Sequence, residues 1–237
     1  MVTERDKYKT GRLTVTPPGK HTAKAEFTTG VEQLSLDNKK DGFIYVPKEY
    51  DSSRPAALAV MLHGAGGSAE QGLSLLRQYA DANNIILIAP AARKYSWDII
   101  VSDAFGPDVI FIEQALELAF EKYVIDPAHV AIGGFSDGAS YALCLGLTNG
   151  DLFTHLIAFS PGFVFTLENT GKPAVFISHG VNDPVLRIDP CGRRIASQLK
   201  RQGLAVNYVE FDGVHEIPAH ISGSAMEWFT GRGTKSR

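Results

Sequence analysis

The sequence predicts an α/β protein in which a mostly parallel central sheet is flanked by helices and forms one large domain. Three observations carry this. Short, continuous apolar runs at 57–62, 85–89, 129–132, 156–159, 174–178 and 206–211 alternate with segments whose apolar residues recur at helical spacing. Continuous rather than alternating hydrophobicity is what strands covered on both faces require. The glycine-rich stretch Gly133-Gly134-Phe135-Ser136-Asp137-Gly138-Ala139-Ser140 follows one such run and opens a helical segment, as a strand-to-helix turn would. Finally, 237 residues of which 44% are apolar are enough to bury one large core.

Taken in order, residues 1–30 are polar, with several threonines and Pro17-Pro18-Gly19, and are expected to be a loosely ordered extension. The remainder, 31–237, is expected to be a single domain. Segments 31–36 and 42–46 alternate around the turn-forming residues 37–42, which predicts an antiparallel hairpin at one sheet edge. Past the polar linker 51–55 the strand and helix alternation begins. Ser68 with Gln71 forms a capping-box signal ahead of Leu73, Leu76 and Ala80. Pro107 precedes Val109, Ile112, Leu116 and Ala119 at helical spacing, and proline suits the first helical position. Ala142, Leu143, Gly146 and Leu147 give the helix after the glycine-rich turn its apolar face. Asp189-Pro190 reads as a cap and first position before Ile195 and Leu199, with Gly203 as the stop. Ile221, Ala225, Trp228 and Phe229 mark a last helix.

Composition narrows the function classes. A net charge of −3, from 23 basic and 26 acidic residues without long runs of one sign, gives no electrostatic footprint for nucleic acid. No apolar run approaches the roughly 18 residues that span a bilayer, and the first ten residues lack the apolar stretch of a signal peptide. No stable membrane association and a cytoplasmic location are therefore expected. Cys144 and Cys191 lack metal-like spacing and read as free thiols used in packing.

Gly134, Ser136 and Gly138 fit the pattern G-x-S-x-G, in which a serine is held at a sharp turn and the helix N-terminus beside it favours a forming anion. A serine hydroxyl is a weak nucleophile near neutral pH and needs a histidine base with a carboxylate behind it. Asp183 and His215, each in a segment following an apolar run, are the candidates. Asp189 and Asp212 compete for the acid position, but Asp189 reads better as a helix cap and Asp212 is too close to His215 in sequence. His63 and His179 both precede glycine and read as turn-stabilising. The string from His215 to His220 does not make a zinc motif, because its histidines are five apart and Pro218 interrupts the helix turn. No metal and no cofactor are expected.

The motifs LHGAGGS at 62–68, GGFSDGAS at 133–140, HGVNDPV at 179–185 and DGVHEIP at 212–218 resemble those of the phospholipase/carboxylesterase family of the α/β-hydrolase superfamily. Polyhydroxybutyrate depolymerase-like esterases share related features. The resemblance implies an α/β-hydrolase fold, with Ser136 as nucleophile, His215 as general base and then acid, and Asp183 as orienting carboxylate. It also implies an oxyanion hole made of the backbone N–H groups of Ala65 and Asp137. The activity implied is that of a serine carboxylesterase acting on small to medium acyl or aryl esters through an acyl-enzyme. A thioesterase or short-chain polyester depolymerase is the enzymatic alternative, and a ligand receptor on the same fold the non-enzymatic one.

Loops holding Tyr95, Trp97, Ile99, Ile100 and Phe105, then Phe163, Val164 and Phe165, then Leu186 are expected to rim the site. Trp97, Phe163 and Leu186 are the substrate-binding candidates. The connection at 161–172 is too short for a large cap domain, so an open site is expected. Oligomeric state, monomer or homodimer, has no specific signal.

Overall fold

The computed structural model describes residues 8–16, 27–166 and 168–231 of the chain. Its centre is an eight-stranded sheet of β1 (Gly30–Gln33), β2 (Gly42–Val46), β3 (Ala56–Leu62), β4 (Ile85–Pro90), β5 (Ile125–Phe135), β6 (His155–Phe159), β7 (Ala174–Gly180) and β8 (Val206–Phe211). The spatial order is β1-β2-β4-β3-β5-β6-β7-β8. β1 and β2 pair antiparallel as the expected edge hairpin, β2 is antiparallel to β4, and every pairing from β4 through β8 is parallel. This is the mostly parallel, helix-flanked sheet that the sequence predicts.

The continuous apolar runs have a direct cause in the packing. Successive side chains of a strand point to opposite faces, and here both faces are covered. Leu58, Val60 and Leu62 of β3 enter one core, while Ala59 and Met61 enter the other. The first core is closed by α4 (Pro107–Lys122), α5 (Asp137–Thr148) and α6 (Arg194–Arg201); the second by α1 (Ala69–Ser74), α2 (Arg77–Asn83) and α7 (Ala219–Thr230). A short α3 (Asp98–Ser102) lies between β4 and α4. Each fully buried Leu or Ile contributes about 1.5–3 kcal/mol relative to exposure, so the two faces together hold the strand order.

Two helix expectations are refined. The Leu73, Leu76, Ala80 stripe is buried as expected, but it is shared between α1 and α2, which break at Leu75 and Leu76. Asp189 does not cap α6; a π-helical turn (Asp189–Arg193) precedes that helix, and the Asp189 carboxylate pairs with Arg193 at 2.9 Å. Competition from that guanidinium, four residues on, replaces the capping bond.

Of the extension expected at 1–30, positions 1–7 and 17–26 lie outside the described residues. Within 8–16, Arg12 forks onto Asp151 at 2.9 and 2.8 Å, and buried Leu13 donates its N–H to Asn149 Oδ1 at 2.9 Å. That stretch is therefore tied to the C-terminal end of α5. Between β6 and β7 no helix occurs among the described residues. Nor is any helix among them long and apolar enough to cross a membrane.

Candidate active site

Because β3, β5, β7 and β8 run parallel, the loops after them leave from one edge of the sheet. Those loops carry His63 to Gly67, Ser136, Asp183 and His215, so sequence-distant groups converge there.

At the end of β5 the chain turns through Ser136 at φ 56° and ψ −118° and enters α5 at once. A serine in this region is strained, by about 1–3 kcal/mol, and the surroundings enforce it. A Cβ on Gly134 would lie 2.6 Å from the Leu62 carbonyl oxygen, and one on Gly138 would lie 2.4 Å from the same atom. Only glycines let β5 and α5 approach β3 this closely.

Ser136 Oγ lies 2.9 Å from His215 Nε2. The other ring nitrogen, Nδ1, lies 2.6 Å from Asp183 Oδ2. With Nδ1–H donating to the carboxylate, Nε2 is left to accept the serine proton. Asp183 is fully buried, and its second oxygen accepts the N–H groups of Val185 and Leu186, each at 2.8 Å. Burial opposes the charge on Asp183, yet the Leu186 N–H, His215 and the Val185 N–H outweigh it and hold the carboxyl below its ordinary range. The competing acids lie elsewhere: Asp212 accepts from Asn182 and Asp189 pairs with Arg193.

His63 and His179 both fasten loops, the role read for them in the sequence. His63 Nε2 accepts the Ala92 N–H at 3.0 Å, which puts the proton on Nδ1, 2.7 Å from the Gly64 carbonyl. His179 Nε2 lies 2.6 Å from the Leu186 carbonyl, in the loop that carries Asp183. Burial lowers the basicity of both imidazoles.

The oxyanion-hole candidates lie on two elements. Ala65 belongs to the loop after β3, and a Cβ on the adjacent Gly64 would be only 3.5 Å from Ser136 Cβ. Among the described residues, no backbone carbonyl receives the Ala65 N–H. Asp137 opens α5, where the first N–H groups have no partner within the helix.

Trp97, expected at the rim, is instead fully buried. Its indole N–H donates to the His63 carbonyl at 2.9 Å and its ring packs on His63 and Tyr141. An indole that can satisfy its one donor inside the core has no reason to face solvent. Phe163 and Leu186 are half-buried, and both approach the loop at Gly162: a Cβ there would lie 3.3 Å from a Leu186 methyl, and Phe163 follows it directly. The exposed apolar surface comes from residues next to the candidates: Tyr95 at 73%, Val185 at 64%, Val214 at 47% and Phe165 at 42%. The Tyr95 ring lies over Gly66, where a Cβ would come within 2.8 Å of it.

Two polar residues escaped the sequence reading. Buried Ser96 donates to Asp137 Oδ2 at 2.6 Å. Ser140 Oγ donates to the Ser136 carbonyl at 3.2 Å and accepts the Gly162 N–H at 2.9 Å, joining the loop after β6 to the turn. Ser140 was at least inside the glycine-rich motif; Ser96, a lone serine among aromatics, carried no signal.

No family model matches the chain. Feruloyl esterase C of Emericella nidulans is 28% identical over 170 residues, covering 68% of this chain and 60% of that protein. An acetylxylan esterase of Coprinopsis cinerea is 31% identical over 147 residues, covering 58% of this chain and 37% of its own. The chain thus spans about 60% or less of the length of these relatives. Among solved structures, a thermostable esterase superposes with a TM-score of 0.68 at 19% identity, over 85% of this chain and 62% of that one. The acetyl xylan esterase from Aspergillus awamori gives a TM-score of 0.66 at 16% identity, over 85% and 99%. With the strand order and the sharp turn at Ser136, these likenesses show that the chain has the α/β-hydrolase fold of solved esterases.

Proposed function

We propose that this chain is a serine carboxylesterase in which Ser136, His215 and Asp183 form the catalytic triad. The observation that carries the reading is the continuous hydrogen-bonded line from Ser136 Oγ through both His215 nitrogens to buried Asp183. In the first half-reaction Ser136 Oγ attacks the ester carbonyl carbon as its proton passes to His215 Nε2. The carbonyl oxygen becomes an oxyanion and receives the N–H groups of Ala65 and Asp137. The C–O bond to the leaving group then breaks, and the imidazolium returns its proton to the departing alcohol. Water repeats the sequence on the acyl-enzyme, releasing the acid and restoring Ser136. Asp183 keeps the Nδ1–H tautomer and stabilises the transient imidazolium.

The substrate class follows from the mouth. Tyr95, whose ring lies over Gly66, and Val185 and Val214, next in the chain to Leu186 and His215, are exposed, and apolar, partly aromatic surface of this kind suits small to medium esters with an aryl or short acyl group. The relatives named for feruloyl and acetyl esters agree with both choices. With only the short connection between β6 and β7, the site is open and works without interfacial activation.

The test is intact-mass spectrometry with a fluorophosphonate probe, peptide mapping and an ester-turnover assay on the same sample. One adduct on Ser136 with parallel loss of turnover is expected, and Ser136→Ala should remove both while the protein stays folded. Labelling elsewhere, or none on folded protein, rejects the assignment. Relative rates on methyl ferulate, an aryl acetate and an aliphatic thioester then rank the acyl groups.

A further inference from the structure

Three consecutive residues, Tyr95, Ser96 and Trp97, each bond to a different part of the scaffold around Ser136. The Tyr95 carbonyl accepts the Gly66 N–H at 2.8 Å. Ser96 Oγ donates to Asp137 Oδ2 at 2.6 Å. The Trp97 indole N–H donates to the His63 carbonyl at 2.9 Å. Gly66 and His63 flank Ala65 in sequence, and Asp137 is the residue after Ser136. One tripeptide therefore grips both elements that offer oxyanion donors.

The grip is rigid. Ser96 is 1% exposed and Trp97 fully buried, and a hydrogen bond to a carboxylate is about twice as strong as one between neutral groups. Behind the tripeptide, two buried carboxylates close the loop: Asp108 Oδ2 accepts the Asp98 N–H at 2.7 Å, Asp98 Oδ2 accepts the Asp108 N–H at 2.9 Å, and Asp108 Oδ1 accepts the Arg93 N–H at 2.7 Å.

We propose that residues 95–97 form a strap that sets the spacing between the Ala65 and Asp137 N–H donors, and that Ser96 is a positioning residue acting through the Asp137 carboxylate. This deepens the esterase reading and rests on it. Donors aimed at developing charge stabilise the transition state more than the bound ester only while their placement is fixed. Loosening the strap should therefore lower kcat and leave substrate binding alone.

The test compares Ser96→Ala, Asp137→Ala, Asp137→Asn and the Ser96→Ala/Asp137→Ala double variant. Each is followed by thermal unfolding, fluorophosphonate labelling and kcat and KM on a soluble aryl acetate. Ser96→Ala and Asp137→Ala should each reduce kcat roughly tenfold with KM changed less than about twofold. Asp137→Asn, which keeps an acceptor oxygen for Ser96, should retain most of the kcat. The double variant should be no worse than either single one, since both remove the same bond. If Ser96→Ala does not fold, the Asp137 pair carries the comparison. The strap is overturned if folded Ser96→Ala keeps the parent kcat, if Asp137→Ala and Asp137→Asn behave alike, or if the single losses multiply in the double variant. A parent protein that labels at Ser136 and turns over while these outcomes hold loses the strap and keeps the esterase reading. A parent that neither labels nor turns over loses both.

Discussion

His179 Nε2 stands 3.3 Å from Asp183 Oδ2, with both side chains fully buried, so the carboxylate that bonds His215 also faces a second imidazole. The second ring is sealed in place. Its Nδ1 has no hydrogen-bond partner among the described residues, and a Cβ on Gly192 would lie 2.8 Å from that atom. A ring in this setting stays neutral and serves as a strut between β7 and the acid loop. Removing it in His179→Ala leaves the part-buried Leu186 carbonyl without its donor, which costs about 0.5–1.5 kcal/mol before any cavity is counted. Urea unfolding should show that loss, and kcat should fall with it as the acid loop loosens.

Asp183→Asn separates the charge of the acid from its shape. The asparagine oxygen can still accept the Val185 and Leu186 N–H groups, so the loop should hold. Its amide cannot receive the His215 Nδ1–H, and the imidazole turns to the wrong tautomer. Under the proposed mechanism kcat should drop by about 10⁴-fold with the unfolding transition little changed. Turnover within tenfold of the parent would remove Asp183 from the triad.

Asp108 supplies a pH test. Burial, and then the neighbouring charge of Asp98, push its carboxyl up to about 6 from an ordinary 3.8. A raised acid favours the protonated form in the folded state, so its contribution to stability is fully present below about pH 4 and is lost as the pH rises through 6. The change is on the order of 2–3 kcal/mol. Asp108→Asn removes this titration: relative to the parent, its melting temperature should improve between pH 4 and pH 7. A constant offset across that range would show that Asp108 does not titrate there.

Tyr95 should affect recognition rather than chemistry. Its ring is largely exposed beside Gly66, whereas its bond to Gly66 uses the backbone. Tyr95→Ala should therefore raise KM for aryl-acyl esters about two- to tenfold, the worth of one aromatic contact, with kcat nearly unchanged. The KM for an acetate ester with a small alcohol should move less. Equal effects on both would take the ring out of the binding surface.

The inner strands were legible because burying both faces of a parallel strand demands a nearly continuous apolar run, a signal local to each; β8, at the sheet edge, departs from it with Asn207 and Glu210 exposed. Ser136 was legible for a similar reason: a turn at positive φ, packed against β3, needs glycines on either side, and that need is visible as composition. Trp97 was not. An aromatic residue in a loop reads alike whether it faces solvent or core, and its place depends on the His63 carbonyl, 34 residues away in sequence. Ser96 is hidden for the same reason, its partner being 41 residues distant. The break between α1 and α2 leaves the stripe of Leu73, Leu76 and Ala80 intact, so periodicity alone could not show it.

The backbone of Ser136 has a consequence for evolution and engineering. At φ 56° and ψ −118° the site favours glycine over any residue with a Cβ. Folding alone would thus choose a residue with no hydroxyl, and the serine is retained against that preference. Ser136→Gly and Ser136→Ala lose the same oxygen, so comparing them isolates the backbone term: the glycine variant should be the more stable by about 1 kcal/mol. Selection for heat resistance without selection for turnover would accordingly drift toward glycine here, and a library screened on melting temperature alone would favour inactive proteins.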